Sequence, residues 1–432
     1  MAKKFYIKTF GCQMNVYDGL RIAAMLEHHG FKQTDDVSDA DIILLNTCAV
    51  RAKATDKVYS ALGRIRRAKK PSAIYGIVGC VARESGSDAF KKIKDLNFVL
   101  GPQSYHKLPE ILSDPDTKLL DINLGGLEKF DELPPITSSP LVAYIPIQEG
   151  CNHCCTYCIV PYTRGPEISR PFNDIMAETM HAANVGAIEI CFLGQNVNGY
   201  KYTDKNGKQY TLADVIRATA KLDSVKRIRF TSSYPTEMTD DLINLFGTEP
   251  KLLPFLNMPI QSGSEKILKR MNRPYDLNGY IDIVNKFKVA RPDIQISSDF
   301  IVGFPGETND DFEQTYKIAK QIGYINSYSF KYSPRPHTAA AIMPDQIPEN
   351  IKSERLIKLD SLLNEQQREF NLSCINKTFD CLYEGQDKTG SKHIYRTPYM
   401  QPCIVTTDNP TPMATITVTS ANKSCLHGKI VD

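Results

Sequence analysis

Short apolar runs of strand length alternate with helical segments along most of this chain of 432 residues. The alternation is most regular between residues 141 and 365, where six strand candidates occupy residues 142–148, 188–193, 227–231, 255–261, 294–301 and 327–332. Strands separated by helices in this way predict βαβ units with parallel pairing. Six such units predict an open or partial (β/α)6 barrel, in which an active site collects at the carboxyl ends of the strands.

Two smaller regions flank this central segment. The N-terminal region has strand candidates at residues 5–10, 41–46, 73–78 and 98–100, with helical segments at 17–29 and 52–70. This pattern predicts a parallel sheet with helices on both faces. Beyond a helical stretch at 350–371, β-like segments at 378–383, 402–407 and 413–419 predict a small antiparallel β-barrel. We therefore expect an α/β protein with domains at residues 1–120, 141–365 and 366–432 and a linker at 121–140.

Polar side chains appear where the predicted barrel strands end or are interrupted. These positions are Gln148, Glu149, Gln195, Asn196, Ser232, Ser233, Gln261, Ser262 and Asp299. Strand ends meet water and turn polar in many folds, so a solvated rim is one explanation of the pattern. Because several of these groups lie within otherwise apolar runs, we favour a shared site at the barrel mouth.

Three cysteines, Cys151, Cys155 and Cys158 (the loop cysteines), lie directly after the first barrel strand. Their spacing of four and then three residues supplies three thiolates, the usual ligands of iron–sulfur cubanes, and leaves one iron open. An open iron can chelate the amino and carboxylate groups of S-adenosylmethionine and reduce its sulfonium, which releases a 5′-deoxyadenosyl radical. Zinc completed by His153 or Cys154 is the alternative, and the barrel-mouth position favours iron. Cys154 also allows a second spacing, in which Cys151, Cys154 and Cys158 are three and then four residues apart. Only the spacing of four and then three residues matches the motif associated with this radical chemistry, so we interpret Cys154 as a bystander.

A second set, Cys12, Cys48 and Cys80 (the sheet cysteines), follows the first three N-terminal strands. The intervals of 36 and 32 residues each correspond to about one βαβ unit. Because parallel strands end at one edge of their sheet, these thiols are expected to converge and hold a second cluster, again with one iron open. Three unrelated buried cysteines are the alternative. The remaining cysteines lack ligand-like spacing, and we expect them to be structural: Cys191, Cys374, Cys381, Cys403 and Cys425.

Charge and hydropathy say little about partners, apart from one basic stretch. The formal net charge is only +3, yet six Lys or Arg residues and no acid lie between residues 57 and 70. That stretch fits a phosphate-contacting patch and a solvated helix face equally well. No apolar run approaches the ~20 residues that span a bilayer, and no secretory signal is evident. We therefore expect a cytoplasmic protein without membrane contact.

These residues resemble the radical S-adenosylmethionine methylthiotransferases over nearly the whole chain. The matching motifs are Thr-Phe-Gly-Cys-Gln-Met-Asn (9–15), Leu-Asn-Thr-Cys (45–48), Cys-Ile-Val-Pro-Tyr-Thr-Arg-Gly (158–165), Gly-Gln-Asn-Val-Asn (194–198), Pro-Ile-Gln-Ser-Gly-Ser (259–264) and Val-Gly-Phe-Pro-Gly-Glu (302–307). The motif at 9–15 is similar to the tRNA-acting branch of that family, whereas the ribosomal-protein branch carries a Gly-Cys-Pro-Lys-Asn version.

The resemblance implies three domains: a methylthiotransferase domain, a radical barrel and a C-terminal TRAM barrel that grips tRNA. It implies insertion of a methylthio group at carbon 2 of an N6-isopentenyl-adenosine next to the anticodon. One S-adenosylmethionine would serve as methyl donor and another as radical source. Of two implied [4Fe-4S] clusters, the one on the loop cysteines generates the radical and the one on the sheet cysteines holds the sulfur. The implied S-adenosylmethionine pocket is lined by Gln195, Asn196, Ser233, Gln261, Ser262, Asp299 and the backbone around Gly303.

Partners and substrate contacts are expectations from the same resemblance. We expect tRNA, through an anticodon stem-loop with isopentenyl-adenosine, an electron donor such as a flavodoxin or ferredoxin system, and a monomeric chain. Arg164 and Arg170 are candidates for contacts with substrate phosphates or bases, with surface ion pairs as the alternative. Tyr383, Tyr395 and Tyr399 are candidates for stacking on bases or for core and rim positions.

Three other functions stay open on the sequence. The nearest is a methylthiotransferase acting on a threonylcarbamoyl-modified tRNA adenosine or on a ribosomal-protein aspartate, which the motif at 9–15 disfavours. An iron–sulfur electron carrier would not need a six-stranded barrel with polar strand ends. A zinc-stabilised RNA-binding protein would be distinguished by its metal content.

Overall fold

The N-terminal domain of the computed structural model is a parallel sheet of six strands in the order β2-β1-β3-β4-β5-β6. Its strands are β1 (Lys4–Thr9), β2 (Lys32–Gln33), β3 (Ile42–Thr47), β4 (Ile74–Gly79), β5 (Phe98–Leu100) and β6 (Leu119–Asp121). Its helices are α1 (Gln13–His28), α2 (Ala52–Ala68), α3 (Cys80–Ser85), α4 (Asp88–Lys92) and α5 (Leu108–Ser113), and α6 (Glu128–Asp131) follows in the segment predicted as a linker. The structure describes residues 3–49, 52–113, 118–131, 133–136, 140–387 and 389–431, so residues 132 and 137–139 of the predicted linker lie outside it.

The predicted placement of helices on both faces of this sheet is confirmed. In β3, Ile43 and Leu45 join one apolar core, whereas Ile42 and Leu44 join the core on the opposite face. Successive side chains of a strand point to opposite faces, so a continuous apolar run must be covered on both sides. Each of these fully buried side chains contributes about 1.5–3 kcal/mol of apolar transfer free energy.

The central domain is the predicted partial barrel, and its strands pair in parallel. Its sheet strands are β7 (Val142–Pro146), β10 (Glu189–Leu193), β13 (Arg227–Phe230), β14 (Phe255–Asn257), β15 (Gln295–Ser297), β16 (Asp299–Val302) and β17 (Tyr328–Lys331); short strands β8 (Gln148–Glu149), β9 (Ile168–Ser169), β11 (Lys201–Thr203) and β12 (Gln209–Thr211) lie in the connections. Its helices are α7 (Val160–Arg164), α8 (Phe172–Asn184), α9 (Leu212–Ala220), α10 (Asp240–Thr248), α11 (Glu265–Arg270), α12 (Leu277–Ala290) and α13 (Asn309–Ile322).

One predicted barrel strand is broken in two. The segment predicted at 294–301 forms β15, which pairs with β14, and β16, which pairs with β17. The break falls at Ser298, whose hydroxyl accepts a hydrogen bond from the backbone of Ile260 at 2.9 Å. The chain therefore changes neighbours at Ser298, which a local apolar pattern does not predict.

The C-terminal domain is a closed barrel in the strand order β18-β19-β20-β22-β21, preceded by a long helix. These elements are α14 (Glu349–Ser373), β18 (Thr378–Gln386), β19 (His393–Arg396), β20 (Pro402–Val405), β21 (Met413–Ala421) and β22 (Leu426–Ile430). The three predicted segments are present, while β19 and β22 were not predicted. The expected antiparallel pairing is wrong for one pair, because β20 and β22 run parallel and close the barrel.

Tyr395 of this barrel lies fully buried in its core, and Tyr399 donates a hydrogen bond to Asp293 of the central domain at 2.9 Å. Tyr383 packs against the same core. The core and rim positions are therefore confirmed for these tyrosines, and base stacking by Tyr395 is wrong. Across the described ranges, no helix is both long and apolar enough to cross a membrane.

The N-terminal domain packs against the end of the barrel that carries the loop cysteines. Ile159, next to Cys158, joins the core on one face of the N-terminal sheet. Arg83 donates to the carbonyl of Tyr162 at 3.2 Å, and Arg335 donates to the carbonyl of Ala49, beside Cys48. Both cysteine sets therefore border one interface between two domains.

Candidate active site

The loop cysteines lie between β8 and α7, in a loop anchored by backbone hydrogen bonds. The amide of Cys151 donates to Gly165 at 3.2 Å, and the amide of Cys158 donates to Cys155 at 2.9 Å. Gly150 precedes the loop with a φ of +77°, and a Cβ there would lie 2.0 Å from the carbonyl oxygen of Pro166. Only glycine fits this close approach of two backbone segments. Gly150 therefore allows the chain to turn from the end of β8 into the cysteine loop.

The three loop thiols are partly buried, whereas the neighbouring Cys154 is exposed. Burial raises the pKa of Cys151 to about 11 and the pKa of Cys158 to about 12. Cys151 and Cys158 are therefore protonated at neutral pH, and iron binding would displace these protons, because the thiolate is the ligand.

The sheet cysteines follow β1, β3 and β4, as predicted. Cys12 is the N-cap of α1, Cys48 follows β3, and Cys80 opens α3. Gly11 has a φ of +123°, and a Cβ there would lie 2.2 Å from the Cβ of Cys48, so glycine allows the first two cysteines to approach. A hydrogen bond from Cys48 lowers the pKa of Cys12 to about 6, while burial raises that of Cys80. The structure thus brings the three sheet cysteines to one edge of the sheet.

Each cysteine set supplies three thiols, the number of protein ligands that a cubane with one open iron takes. Among the described residues, no three His, Cys, Asp or Glu side chains surround a common metal position. In a [4Fe-4S] cluster each thiolate binds a different iron, so its ligands enclose a volume instead of converging on one point. Three thiols at one loop or one sheet edge match that requirement.

Two predicted pocket residues, Gln195 and Asn196, lie directly beside the entrance to the cysteine loop. The side-chain oxygen of Gln195 accepts a hydrogen bond from the amide of Gly150 at 2.5 Å, and the amide of Asn196 donates to Gln148 at 3.0 Å. The Asn196 side-chain oxygen and the buried hydroxyl of Ser233 have no hydrogen-bond partner among the described residues. Buried polar atoms are nearly always paired, so these two orphans are suited to a polar ligand.

Of the other predicted pocket residues, Gln261 and Asp299 lie next to each other, whereas the Ser262 side chain contacts a neighbouring helix. Gln261 and Asp299 are adjacent, because the amide of Gln261 donates to the carbonyl of Asp299 at 2.9 Å. The hydroxyl of Ser262 forms a hydrogen bond with that of Thr315 in α13 at 3.3 Å. At Gly303 the φ is +70°, and a Cβ would lie 2.4 Å from the Lys352 side chain. Ser262 therefore supports the strand end instead of presenting its side chain at the mouth.

Arg164 and Arg170 form ion pairs, which was the alternative to substrate contacts, but these pairs are buried and do not lie at the surface. Each arginine is only 4% exposed, so neither side chain reaches a partner at the protein surface. Arg164 forms buried ion pairs with Glu149 at 2.5 Å and with Asp18 at 3.4 Å. Arg170 pairs with Glu178 at 2.7 Å. Their charges are balanced by these carboxylates, of which Asp18 lies 146 positions from Arg164 and is therefore outside any local sequence window.

Two members of a polar cluster at the barrel mouth, Glu237 and Tyr234, were not predicted from the sequence. His153 lies 3.0 Å from Glu237, which accepts a hydrogen bond from the Asn196 amide group at 2.7 Å. The imidazole of His153 stacks on Tyr234 with ring centroids 3.6 Å apart. No local pattern marks Glu237 or Tyr234, because they reach the cysteine loop only through the fold.

Asp311 anchors the turn that carries Gln261 and Ser262, so we expect Asp311→Asn to lower the free energy of unfolding by roughly 1–2 kcal/mol. Its carboxylate accepts hydrogen bonds from Ser264 at 2.7 Å and Lys266 at 2.8 Å, and from the Thr308 backbone at 2.9 Å. Burial alone would raise the pKa of Asp311, but hydrogen bonds led by Lys266 outweigh it and lower the pKa.

The pKa of Asp311 is lower in the folded protein than in the unfolded chain, where it is about 3.9. Its carboxylate therefore stabilises the folded state fully at a pH above about 3.9, and this stabilisation is lost as the pH falls below that value. Urea unfolding at pH 7 and near pH 3 should show the variant's deficit shrinking at the lower pH. The exposed neighbour Asp310 provides the control, Asp310→Asn. A deficit that does not depend on pH, or one shared by the control, would contradict the role of the carboxylate.

Comparisons with known proteins agree with this architecture. A family model described as "Uncharacterized protein family UPF0004" matches residues 4–101, and one described as "Radical SAM superfamily" matches residues 145–319. Among solved structures, a radical S-adenosylmethionine methyltransferase, TsrM, from Kitasatospora setae aligns with a TM-score of 0.56 at 12% identity, covering 79% of this chain and 77% of that one. A cobalamin-dependent S-adenosylmethionine radical enzyme, OxsB, aligns with a TM-score of 0.51 at 11% identity, covering 83% and 56%. At these identities the likeness shows the fold.

Sequence relatives are far more similar. A Rickettsia conorii protein named tRNA-2-methylthio-N(6)-dimethylallyladenosine synthase is 45% identical over 445 residues, covering 100% of this chain and 100% of the relative. A relative of the same name from Rickettsia prowazekii is 46% identical over 443 residues, covering 100% of this chain and 96% of the relative. The chain belongs to the family of the tRNA-2-methylthio-N(6)-dimethylallyladenosine synthases, within the radical S-adenosylmethionine superfamily.

Proposed function

We propose that this chain inserts a methylthio group at carbon 2 of N6-isopentenyl-adenosine next to the anticodon of tRNA. The family supports this substrate, because the relatives' name specifies a tRNA and a 2-methylthio-dimethylallyladenosine product. The observation that carries the proposal is the pair of cysteine sets at one interface: Ile159, beside the loop cysteines, packs into the N-terminal domain that holds the sheet cysteines.

The loop cysteines would hold one [4Fe-4S] cluster and the sheet cysteines the other. When bound, the first supplies the electron that cleaves S-adenosylmethionine, and the second supplies the site for the sulfur. The protein's own task is to keep these two sites in one cavity. Arg335 contributes to that task, because it binds the backbone beside Cys48 and also pairs with Glu84 at 3.2 Å.

Residues at the strand ends would bind and orient S-adenosylmethionine. Among the described residues, the Asn196 side-chain oxygen and the Ser233 hydroxyl have no hydrogen-bond partner. The first would accept hydrogen bonds from polar groups of S-adenosylmethionine, and the second could accept or donate them. The Gln195 side chain orients the start of the cysteine loop by accepting from Gly150. Gln261, Asp299 and the Gly303 backbone would complete the pocket, while Ser262 would act through the strand end it supports.

Several finer assignments belong to the same proposal. The C-terminal barrel, from about residue 366, would contribute to tRNA binding together with the basic stretch at 57–70, where Arg64 and Arg67 are exposed. A flavodoxin or ferredoxin system would supply electrons, because the radical cluster needs a low-potential donor. The chain would work as a monomer in the cytoplasm, where tRNA is modified, with domain limits at 1–120, 141–365 and 366–432.

Nucleoside mass spectrometry after an anaerobic reaction tests the proposed substrate. The reconstituted protein would be incubated with S-adenosylmethionine, a strong reductant and one of three tRNA preparations, which carry isopentenyl-adenosine, threonylcarbamoyl-adenosine or unmodified adenosine beside the anticodon. We expect a methylthio adduct only on isopentenyl-adenosine. An adduct on the threonylcarbamoyl nucleoside would overturn the assigned substrate. Release of 5′-deoxyadenosine without any adduct would keep the radical chemistry and reject the substrate class.

A further inference from the structure

Arg273 lies in the turn after α11, and this turn is joined to the cysteine loop. The amide of Thr156 donates to the carbonyl of Met271 at 3.0 Å, and the Asn272 side chain donates to the carbonyl of His153 at 3.0 Å. The Arg273 side chain continues into the protein with only 5% of the residue exposed. The turn therefore delivers a buried guanidinium to the side of the loop cysteines.

All the hydrogen-bond partners of Arg273 are uncharged groups or a thiol. The guanidinium donates to the carbonyl of Pro259 at 3.0 Å, to the Tyr275 hydroxyl at 2.9 Å and to the Tyr157 hydroxyl at 3.2 Å. It also lies over the Tyr234 ring, 4.5 Å from the centroid. Hydroxyl, carbonyl and ring partners satisfy its N–H groups but do not neutralise its charge.

The other buried arginines of the described chain are all paired with carboxylates. Eight arginines are buried, and the seven besides Arg273 form salt bridges: Arg21, Arg164, Arg170, Arg227, Arg229, Arg335 and Arg355. No carboxylate of the described residues lies within salt-bridge distance of Arg273. A buried charge without a counter-charge lowers the stability of the folded protein. A negative group beside Arg273 would remove this penalty, and the described residues of the apoprotein provide none.

The thiol of Cys155 is the neighbouring group that becomes negative when a cluster binds. One terminal nitrogen of Arg273 lies 3.9 Å from the Cys155 sulfur. An iron-bound thiolate accepts hydrogen bonds, and such bonds to cluster sulfurs help to set the reduction potential. A fixed positive charge stabilises the reduced, more negative form of a cluster more than the oxidised form.

We propose that Arg273 is the counter-ion of the cluster on the loop cysteines, bonding the Cys155 thiolate and raising the cluster's reduction potential. Arg273 is thus a positioning residue that makes the cluster easier to reduce. The inference rests on the proposed cluster at the loop cysteines, and it does not depend on which tRNA nucleoside is the substrate.

Potentiometric titration of the radical cluster, followed by electron paramagnetic resonance of its reduced form, tests the assignment. A full-length background with Cys12→Ala, Cys48→Ala and Cys80→Ala confines the signal to the loop cysteines. We expect Arg273→Met to shift the midpoint potential to a more negative value, and Arg273→Lys, which keeps the charge, to shift it less. Arg291→Met is the control, because Arg291 donates to backbone carbonyls of Phe246 and Leu252 and should leave the potential unchanged.

Thermal unfolding of the apoproteins separates this role from a structural one. Because Arg273 lacks a counter-charge without the cluster, the Met variant of the apoprotein should have an unchanged or raised Tm. Arg355→Met should have a lowered Tm, since it leaves buried Glu307 unpaired. A folded Arg273→Met variant that retains no iron would also support the counter-ion role. A lowered apoprotein Tm in Arg273→Met, or an unchanged potential with full iron content, would overturn it. If the background protein itself bound no cluster, the proposed function would fail instead.

Discussion

Replacing Cys155 by alanine should abolish both 5′-deoxyadenosine release and methylthio insertion, whereas replacing Cys80 should abolish the insertion alone. A cubane with one open iron needs all three protein thiolates, so loss of one loop cysteine removes the site that cleaves S-adenosylmethionine. Cys80 belongs to the sheet set, at the opposite side of the domain interface. Its loss should stop sulfur insertion while leaving the loop cluster and its cleavage product in place. Liquid chromatography of 5′-deoxyadenosine and mass spectrometry of tRNA nucleosides would measure both from one reaction.

Cys154 provides the matched control for this experiment. It lies beside Cys155 in the same loop, but its side chain is exposed. We expect Cys154→Ala to stay within about twofold of the wild type in both products, because an exposed side chain outside the proposed ligand set binds no iron and its loss changes the stability by only about 0.5 kcal/mol or less. Loss of both products in the Cys154 variant, with the Cys155 variant unaffected, would favour the other register of the cysteine motif. Loss of 5′-deoxyadenosine in the Cys80 variant would contradict the separate roles of the two sets.

The positions of the proposed cluster ligands could be predicted from the sequence because strand ends are local features. β3 begins with an apolar run at residues 42–45, and Cys48 follows the end of the strand immediately. Once the run is recognised as a parallel strand, the place of its carboxyl end, and of the cysteine there, is determined. The same reasoning placed Cys12 and Cys80 at that sheet edge and the loop cysteines at the barrel mouth.

The elements that sequence reasoning missed are those held by long-range pairing. β19 (His393–Arg396) and β22 (Leu426–Ile430) mix polar and apolar residues, and they are strands because the barrel closes around them. β2, Lys32–Gln33, has only two residues, both exposed, and is defined by its pairing with β1. Such strands carry too little apolar pattern to be recognised before the sheet exists.

Site residues that act through distant partners were misread or overlooked for a related reason. Arg164 follows the cysteine loop in a motif with an exposed tyrosine, Tyr162, and local charge suggested substrate contact. One of its two carboxylate partners, Asp18, is 146 positions away. The sequence did indicate that Asp18 is paired. Asp18 lies on the apolar face of α1 together with Met14 and Ile22, and a charged side chain on a buried face needs a partner of opposite charge. Arg273 had no comparable signal.

Four buried charges join the domains that carry the two cysteine sets, and breaking this cluster should be strongly destabilising. Asp18 belongs to α1, Lys129 to α6, Glu149 to β8 and Arg164 to α7. Lys129 lies 3.2 Å from Asp18 and 2.8 Å from Glu149, and Arg164 pairs with both acids. We expect Arg164→Met to lower the free energy of unfolding by about 3–5 kcal/mol, because it leaves two buried carboxylates with a single cation. Urea unfolding of the apoprotein at pH 7 would measure the loss.

The pH dependence of that loss follows from Glu149. Burial opposes its ionisation, but the charges of Lys129 and Arg164 outweigh burial and lower the pKa of Glu149. A lowered folded pKa means that the ion pair stabilises the protein fully above the unfolded value near 4.3, and that this stability is lost as pH falls below it. The gap between wild type and Arg164→Met should therefore be widest at neutral pH and narrow below about pH 4.

Two further variants distinguish a buried charge cluster from ordinary packing. The double variant Arg164→Met with Glu149→Gln should recover part of the loss, because it removes a carboxylate along with its cation. Arg217→Met is the surface control, since Arg217 and its partner Asp241 are about half exposed, and it should cost about 0–1 kcal/mol. If Arg164→Met cost no more than Arg217→Met, the buried cluster would not hold the domains together. A double variant less stable than Arg164→Met would mean that Arg164 acts through packing and not through charge.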